Sequence, residues 1–350
     1  MSPAPTRAEA LRRFAENTLS ATSLPIAPAS ADASFRSYWR VRGADGTYIV
    51  MDAPPDKENI EPWLDVGQRL RHAGLHAPEV RAVDREHGFV LMEDLGTRTY
   101  LPALTETTVD VLYADALDAL LRMQTRVDPA GLPVFDEAFI TMELERMPEW
   151  FLERHLGYAI GCDDWDIIEL AFRHLITSAR EQPQAFMHRD YHSRNLLIVE
   201  RPERSAGDAL PTPAIVDFQD ALIGPLTYDL ASLLRDCYIA WDVERVEGWA
   251  ESHRERLRHA HLIGTHVDAA RFRRWFDLAG LQRHLKVLGN FCRLWYRDGK
   301  PQYLADLPLT WHYVISVAER YAELAPLADL LKRALGERDI TLPRNDASAG

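Results

Sequence analysis

The chain has 350 residues, a formal net charge of −13 at pH 7, 47% hydrophobic residues and 27% charged residues. This length is enough for two lobes or one large domain with a sizeable core, and the composition is that of an ordinary folded protein. The acidic balance argues against broad nucleic-acid binding, which requires a basic surface.

The cysteines and the apolar runs indicate the compartment. Cys162, Cys237 and Cys292 show no CxxC spacing, which favours reduced thiols over a disulfide framework or a zinc site. The first residues carry several charges and no apolar run, unlike a signal peptide. No stretch approaches the roughly 18 uncharged apolar residues of a membrane span. We therefore expect a cytoplasmic protein with no membrane partner and no obligate protein partner.

The first hundred residues predict a small antiparallel sheet with helices. Thr6 and Glu9 fit a capping box that opens the first helix. A Pro/Ala/Ser-rich connection follows it, and Asp45-Gly46 is a hairpin turn signal between two strands. The predicted elements are a helix through about Glu16, strands at 34–42 and 48–51, a helix at 63–70, and strands at 79–83 and 88–92.

Beyond Leu95-Gly96 the pattern becomes mainly helical, which predicts a hinge near 93–97 and an α+β fold. The exceptions are a strand at 185–187 and a hairpin formed by 196–199 and 214–217. We predict a first lobe at 1–95, a second lobe at 96–340, and a flexible tail at 341–350. The predicted helices lie at about 106–126, 163–180, 229–240, 267–296 and 312–334.

The most informative pattern is His-Arg-Asp-Tyr-His-Ser-Arg-Asn at 188–195, followed by Ile-Val-Asp-Phe-Gln-Asp at 215–220. Asp190 suits a base, because its carboxylate can accept a hydrogen bond and then the proton from an attacking hydroxyl. Asn195 and Asp217 are hard oxygen donors, which magnesium prefers to sulfur or imidazole. The joint occurrence of strand, loop, strand and terminal aspartate predicts kinase-type phosphoryl transfer.

The residues of this pattern also have other interpretations. An isolated aspartate in a loop is usually a cap or turn residue. His188, Asp190 and His192 also suit the metal ligands of a hydrolase, but that alternative leaves Asn195 and Asp217 unused. The sequence contains no GxSxG elbow, Walker A loop or GxGxxG turn. The chain therefore lacks the motifs expected of serine hydrolases, P-loop proteins and Rossmann enzymes.

The chain resembles the aminoglycoside phosphotransferase-like kinases from about Arg7 to Leu335. The resemblance rests on residues 186–196, on 216–220, and on Gly-Pro-Leu-Thr-Tyr-Asp-Leu at 224–230. Within that family the chain is most similar to the anomeric N-acetylmuramate/N-acetylglucosamine kinases of bacterial cell-wall recycling. The segments that carry this narrower similarity are 188–195, 217–220, 233–241, 51–55, 298–301 and 303–308.

The resemblance implies a bilobal protein-kinase-like fold. The lobe at 1–95 would bind the nucleotide, and the lobe at 96–340 would carry catalysis and substrate binding. ATP would phosphorylate the anomeric hydroxyl of the amino sugar and give a sugar 1-phosphate in peptidoglycan recycling. Asp190 would be the base, and Asn195 and Asp217 would hold Mg²⁺. Asp229 would brace the catalytic loop, with His188 as a second structural support.

The expected nucleotide site departs from the general kinase pattern. Adenine would hydrogen-bond the backbone around Met92-Glu93-Asp94, as the resemblance implies. The strand that normally offers a phosphate-binding lysine has none, since it contains Tyr-Ile-Val-Met-Asp at 48–52. Arg36 and Arg40 are the candidates for that charge, and Ser34 stands in the turn that should cover the phosphates.

The expected substrate site contains several polar residues. Muramate carries a lactyl carboxylate, which calls for an arginine able to make a forked contact. Arg189, Arg194 and Arg235 lie in or after the motifs, although an arginine here can instead pair with a neighbouring acid. Gln219 and Asp220 could bind sugar hydroxyls.

Two alternatives stay open at this point. One is another small-alcohol kinase of the same superfamily, of the aminoglycoside, choline or homoserine type. The other is a nucleotide-binding pseudokinase, which the missing lysine favours and which Asp190, Asn195 and Asp217 oppose.

Overall fold

The computed structural model describes residues 6–31, 35–199 and 213–344. The chain divides into two compact units. The sheet unit takes in the chain up to Ala119 together with Arg194–Asp220, and the helical unit takes in Leu120–Ser193 and the chain from Ala221 onward. Ser34 lies outside the described residues, as do residues 345–350 of the expected tail.

The described elements follow in chain order. The helices are α1 (Arg7–Thr18), α2 (Glu61–His72), α3 (Val109–Arg126), α4 (Glu137–Leu144), α5 (Cys162–Glu181), α6 (Tyr228–Leu234), α7 (Val243–His259), α8 (Ala269–Tyr296), α9 (Leu307–Arg320) and α10 (Ala325–Leu335). The strands are β1 (Ile26–Ala31), β2 (Ser37–Arg42), β3 (Thr47–Asp52), β4 (Val80–Asp84), β5 (Phe89–Glu93), β6 (Gln184–Met187), β7 (Leu196–Leu197), β8 (Ala214–Ile215) and β9 (Leu222–Pro225). Short 3₁₀ turns occupy Leu101–Ala103 and Pro301–Asp306, and a π-helical stretch occupies Met147–His155.

The sheet unit is built on five antiparallel strands in the order β1-β2-β3-β5-β4. Strand β1 lies in the stretch that the sequence predicted to be a connection. It pairs on one side only and contains Pro28, beside which the register shifts. Proline is tolerated in such an edge strand because no second neighbour needs its missing N–H. The Pro/Ala/Ser-rich composition was therefore wrongly interpreted as a connection.

Helix α1 covers one face of the sheet. Its capping box is present, since Thr6 N–H donates to Glu9 Oε2 at 2.8 Å and Glu9 N–H donates to Thr6 Oγ1 at 3.3 Å. Its buried residues Leu11 and Ala15 belong to the same apolar cluster as Phe89 of β5. The apolar face of α1 therefore packs into the core of this unit.

The β7–β8 hairpin belongs to the sheet unit because backbone hydrogen bonds attach it there. Tyr100 N–H donates to Leu196 O at 2.8 Å, and Ile215 N–H donates to His76 O at 2.8 Å. The sequence places the lobe boundary at 95/96, whereas the division by compactness falls at Ala119 and includes this hairpin.

The helical unit is organised around α8, a helix of 28 residues whose residues from Trp275 to Leu288 are largely buried. The predicted helix at 312–334 is in fact two helices, because Tyr321 is extended and Pro326 opens α10. The predicted helix at 229–240 ends at Leu234. Within the described ranges no helix is both long enough and apolar enough to cross a membrane.

Candidate active site

A cavity of about 470 Å³ lies within the sheet unit. Such a volume suits a small-molecule ligand. Apolar side chains form much of its wall, and the rings of Trp63 and Phe218 lie 5.3 Å apart. Seven of the residues predicted to bind cofactor, metal or substrate line this cavity: Arg40, Met92, Glu93, Asp94, Arg194, Asn195 and Asp217.

The carboxylates of Glu93 and Asp94, at one end of the cavity, are occupied by protein contacts. Glu93 accepts from Glu79 N–H at 3.1 Å and contacts His76 Nε2 at 3.0 Å. Asp94 accepts from Arg40 Nε at 2.6 Å and from Arg40 Nη2 at 3.0 Å. Burial alone would raise the pKa of Asp94, but these hydrogen bonds outweigh it and hold that pKa below its ordinary value. Backbone groups are therefore better placed than these carboxylates to meet a ligand at this end.

Asn195 and Asp217 lie together at another part of the cavity wall. Val216 N–H donates to Asn195 O at 3.1 Å, which aligns the two segments. Asn195 Nδ2 donates to Asp217 Oδ2 at 3.2 Å, and Gln219 Nε2 donates to Asp217 Oδ1 at 2.8 Å. The carboxylate keeps 38% side-chain exposure. An exposed carboxylate beside an amide provides hard oxygen ligands, so these residues fit a magnesium ion.

The two candidate arginines have different surroundings. The guanidinium of Arg36 has only 9% side-chain exposure, and its Nη2 lies 3.9 Å from Asp217 Oδ1. Arg40 instead contacts Asp94 and, at 3.4 Å, Gly96 O. Arg36 therefore lies beside the expected metal ligand Asp217, and Arg40 lies beside Asp94 and Gly96. Asp220 is exposed beside them.

In the helical unit, Asp229 holds the backbone of the loop that carries Asp190. Its carboxylate accepts from His188 N–H at 2.6 Å and from Arg189 N–H at 2.9 Å. Asp190 N–H donates to His188 Nδ1 at 3.3 Å. These are the contacts that the predicted supporting roles of Asp229 and His188 require. Burial raises the pKa of Asp229 to about 6.

Asp236 holds the next part of the same loop, although sequence reasoning gave it no role. Its Oδ2 accepts from Ser193 N–H at 3.0 Å and from Ser193 Oγ at 2.5 Å. Asp236 is fully buried. Its position within the motif at 233–241 was the available signal, but nothing local to that motif indicates which residue it would contact.

Cations surround Asp190. Burial alone would raise the pKa of its carboxyl, but the nearby charges of Lys286, Arg283 and Arg189 outweigh this and hold that pKa well below its ordinary value. Asp190 is therefore ionised at neutral pH, as a proton acceptor must be. Burial also lowers the pKa of His192 to about 4, which leaves its imidazole neutral at pH 7.

Glu143 anchors two of the cations in this unit. It is 1% exposed, and its Oε1 lies 2.5 Å from Arg189 Nη2 and 3.3 Å from Lys286 Nζ. Arg235 likewise donates to the buried Asp277 at 2.5 Å. Arg189 and Arg235 are thus paired with buried acids, as the alternative interpretation of these arginines predicts. Their contact with substrate stays a prediction.

Sequence reasoning missed Glu143, Arg283 and Lys286. The signal for the last two was a pair of basic residues, three positions apart, within the apolar run from Leu278 to Leu288. Charged residues are almost never fully buried unless they are paired. Their partners lie on other elements, so the sequence did not show which charges they would meet.

The metal-hydrolase alternative lacks a ligand set. Among the described residues no three His, Cys, Asp or Glu side chains are grouped so that they could hold a metal ion. His188 accepts from the backbone of Asp190, and the ring of His192 packs edge-on against Tyr238 at 5.5 Å.

Residues 25–262 match the family described as the phosphotransferase enzyme family, APH. Two relatives called N-acetylmuramate/N-acetylglucosamine kinase cover most of the chain. The protein of Pseudomonas aeruginosa is 43% identical over 307 residues, which is 87% of each chain. That of Pseudomonas putida is 41% identical over 306 residues, again 87% of each chain.

Two solved structures share the fold at low identity. An apo thermostable mutant of the aminoglycoside phosphotransferase APH(4)-Ia is 16% identical with a TM-score of 0.57, covering 89% of this chain and 99% of its own. The streptomycin–ATP–APH(2")-IIa ternary complex is 13% identical with a TM-score of 0.54, covering 88% and 97%. These similarities confirm the predicted kinase-like α+β fold class.

Proposed function

The chain belongs to the APH family of phosphotransferase enzymes, and we propose that it is an ATP-dependent kinase of N-acetylmuramate and N-acetylglucosamine. The product is the sugar 1-phosphate, formed in peptidoglycan recycling. The observation that carries the substrate assignment is the 41–43% identity, over 87% of the chain, to two kinases named for these sugars. We also propose a cytoplasmic location, where ATP is supplied.

The reaction assigns a role to Asp190. The anomeric oxygen forms a bond to the γ-phosphorus of ATP, and the bond from that phosphorus to the bridging oxygen of the β-phosphate breaks. ADP leaves with that electron pair, and the proton of the hydroxyl passes to the Asp190 carboxylate. The cations around Asp190 support this role because they keep its carboxyl ionised.

Asn195 and Asp217 hold magnesium in this proposal. Their oxygens are the hard ligands that Mg²⁺ prefers, and the two side chains lie within 3.2 Å of each other. Asn195 would turn its amide so that the oxygen, in place of the Nδ2 that now donates to Asp217, faces the ion. When bound, magnesium would supply positive charge to offset that of the phosphates.

Arg36 takes the phosphate role of the missing lysine. The strand β3 offers no cation, and its terminal Asp52 accepts from Arg7 at 2.8 Å. Arg36 precedes β2, where its guanidinium is already beside Asp217. A guanidinium can bind phosphate oxygens through two parallel hydrogen bonds. Arg40 is held at Asp94 and contributes to the adenine end instead.

The first test is ADP release with ATP and Mg²⁺ against N-acetylmuramate, N-acetylglucosamine, an aminoglycoside, ethanolamine and choline. Phosphorus NMR then locates the phosphate. We expect turnover with the two amino sugars and a phosphate on the anomeric oxygen. Asp190→Asn is the control, expected to bind ATP while turnover falls by about two to four orders of magnitude, the usual contribution of general base catalysis.

The other outcomes identify the alternatives. Turnover with only another alcohol would keep the phosphotransferase and reject the cell-wall sugar. ATP binding without release of ADP for any acceptor would indicate a pseudokinase. A phosphate found on another hydroxyl of the sugar would contradict the anomeric assignment.

A further inference from the structure

Arg283, on α8, is a buried cation with no carboxylate at ion-pair distance among the described residues. Among the residues that the structure describes, three arginines are buried. Arg235 donates to Asp277 at 2.5 Å, and Arg254 donates to Glu251 at 2.7 Å. Arg283 has no carboxylate partner within the described ranges, although its exposed fraction is only 3%.

The hydrogen bonding of Arg283 is far from complete. Its Nη1 contacts the Sγ of Cys237 at 3.2 Å, and a thiol is a weak acceptor. Its Nε meets no acceptor in the described part of the chain. A buried charge without hydrogen-bonded partners is strongly unfavourable. This guanidinium is therefore suited to receive an anion that the protein does not itself supply.

A chain of contacts places Arg283 beside the loop of the proposed base. Asp236 binds Ser193, which follows Asp190 by three residues. Cys237, next to Asp236 in the chain, contacts Arg283. The charge of Arg283 also acts on Asp190, lowering the pKa of that carboxyl. An anion bound at Arg283 would thus lie near a sugar hydroxyl held at Asp190.

The neighbouring cations are less available. Lys286 follows Arg283 on α8, but its Nζ lies 3.3 Å from Glu143 Oε1. Arg189 donates to the same oxygen at 2.5 Å. Since these two cations already have a buried carboxylate, Arg283 is the better receptor for a carboxylate of the substrate.

Two further polar atoms near Asp190 meet no partner in the parts of the chain described. These are the hydroxyl of Tyr228, which is fully buried, and Nδ1 of His192. A buried polar atom without a hydrogen-bond partner is unfavourable, because it has lost its contacts with water. A ligand rich in hydroxyl groups would provide partners for both.

We propose that Arg283 binds the lactyl carboxylate of N-acetylmuramate and thereby favours this sugar over N-acetylglucosamine, which has no such group. The inference rests on the proposed function. The forked guanidinium matches a carboxylate through two charge-assisted hydrogen bonds. Arg283 is thus a specificity residue, while the chemistry at the anomeric hydroxyl is common to both sugars.

The test compares kcat/KM for N-acetylmuramate, its neutral lactyl amide and N-acetylglucosamine. We expect the wild-type protein to prefer the acid over the amide by about 10- to 100-fold, the usual range for charge-assisted hydrogen bonds. In Arg283→Gln this preference should disappear, and kcat/KM should fall at least about tenfold further for N-acetylmuramate than for N-acetylglucosamine. The loss with N-acetylglucosamine reports the effect of the lost charge on Asp190, which both sugars share. Arg254→Gln is the matched control, because it removes a buried arginine whose carboxylate partner is on its own helix, and it should keep the preference.

Several results would overturn the role of Arg283. These are equal wild-type rates with acid and amide, an acid preference that survives in Arg283→Gln, or equal losses with both sugars in that variant. If Arg283→Gln does not fold, the wild-type comparison still decides, and Arg283→Lys should retain part of the preference. Failure of the proposed function looks different, because the wild-type protein would then phosphorylate none of the three sugars.

Discussion

Arg189 and Asp217 hold left-handed backbone conformations, with φ of 77° and 63°. Such conformations cost a non-glycine residue about 1–2 kcal/mol and persist where the surroundings fix them. Asp229 binds the N–H of Arg189, and Gln219 and Asn195 bind the carboxylate of Asp217. The strain thus falls within the two motifs to which the proposed chemistry is assigned.

Arg36 and Arg40 provide a matched pair of substitutions. Arg36→Met should lower kcat by about 10²–10³, the usual cost of losing one preorganised stabiliser of transition-state charge. It should also weaken ATP binding more than adenosine binding, because the lost contact is to phosphate. Arg40→Met should affect ATP and adenosine alike. Kinetics and calorimetric titration measure both effects, and equal losses in the two variants would contradict the assignment of Arg36.

At the level of the elements, α8 is a closely packed helix that carries Arg283 and Lys286. A Cβ at Gly289 would lie 2.2 Å from Arg146 O, so only glycine allows this approach. Arg146 directly precedes the π-helical stretch Met147–His155, which packs on α8. The position of Arg283 and Lys286 therefore depends on close backbone contact one to two turns further along the helix.

Gly289→Ala and Gly248→Ala should change stability in opposite directions. The first overpacks a helix contact and should lower the free energy of unfolding by about 1–3 kcal/mol or more. The second lies in α7 with nothing within 4 Å of its added Cβ, and should raise that free energy by up to about 1 kcal/mol through helix propensity. Urea unfolding measures both, and a stabilising Gly289→Ala would contradict the packing described.

At the level of the whole molecule, several imidazoles are buried without charge. His253 contacts Gln124 Oε1 at 3.2 Å, and His284 contacts Arg235 O at 2.9 Å. Burial lowers the pKa of each to about 3. In an unfolded chain both would titrate near their ordinary pKa of about 6.5, so folding depends on their staying neutral.

Stability should therefore fall as the pH falls from 7 to 5. Below about pH 6.5 the unfolded chain binds protons at His253 and His284 while the folded protein does not, which costs about 2 kcal/mol each at pH 5. Asp229 acts in the opposite direction, because its raised pKa of about 6 makes the folded state bind a proton first, but it offsets only part of this loss.

Urea unfolding at pH 7 and pH 5 measures this dependence. General charge repulsion would act the other way, because the sequence pI of about 5.5 brings the net charge toward zero. His253→Gln should lose part of the pH dependence. An unfolding midpoint that is unchanged or higher at pH 5 would show that the buried histidines do not control acid stability.

The sequence by itself determined the class of fold and the main candidates for chemistry. Local signals sufficed for the capping box at Thr6 and the Asp45-Gly46 turn, because the side chains that define them are neighbours in the chain. The spacing from Asp190 to Asn195 and Asp217 predicted the type of reaction in the same way. Strand β1 and the break between α9 and α10 were missed, since Pro28 and helical periodicity through Tyr321 gave misleading local patterns.

Only the tertiary structure decided which charges meet. Arg36 and Arg40 are equivalent by sequence, yet Arg36, just before β2, lies near Asp217, whereas Arg40, within β2, binds Asp94. The pairing of Glu143 with Arg189, and the absence of a carboxylate at ion-pair distance from Arg283 among the described residues, depend on how elements distant in the chain pack. Whether a buried charge is neutralised or available to a ligand is thus a property of long-range contacts, which residue type and spacing do not specify.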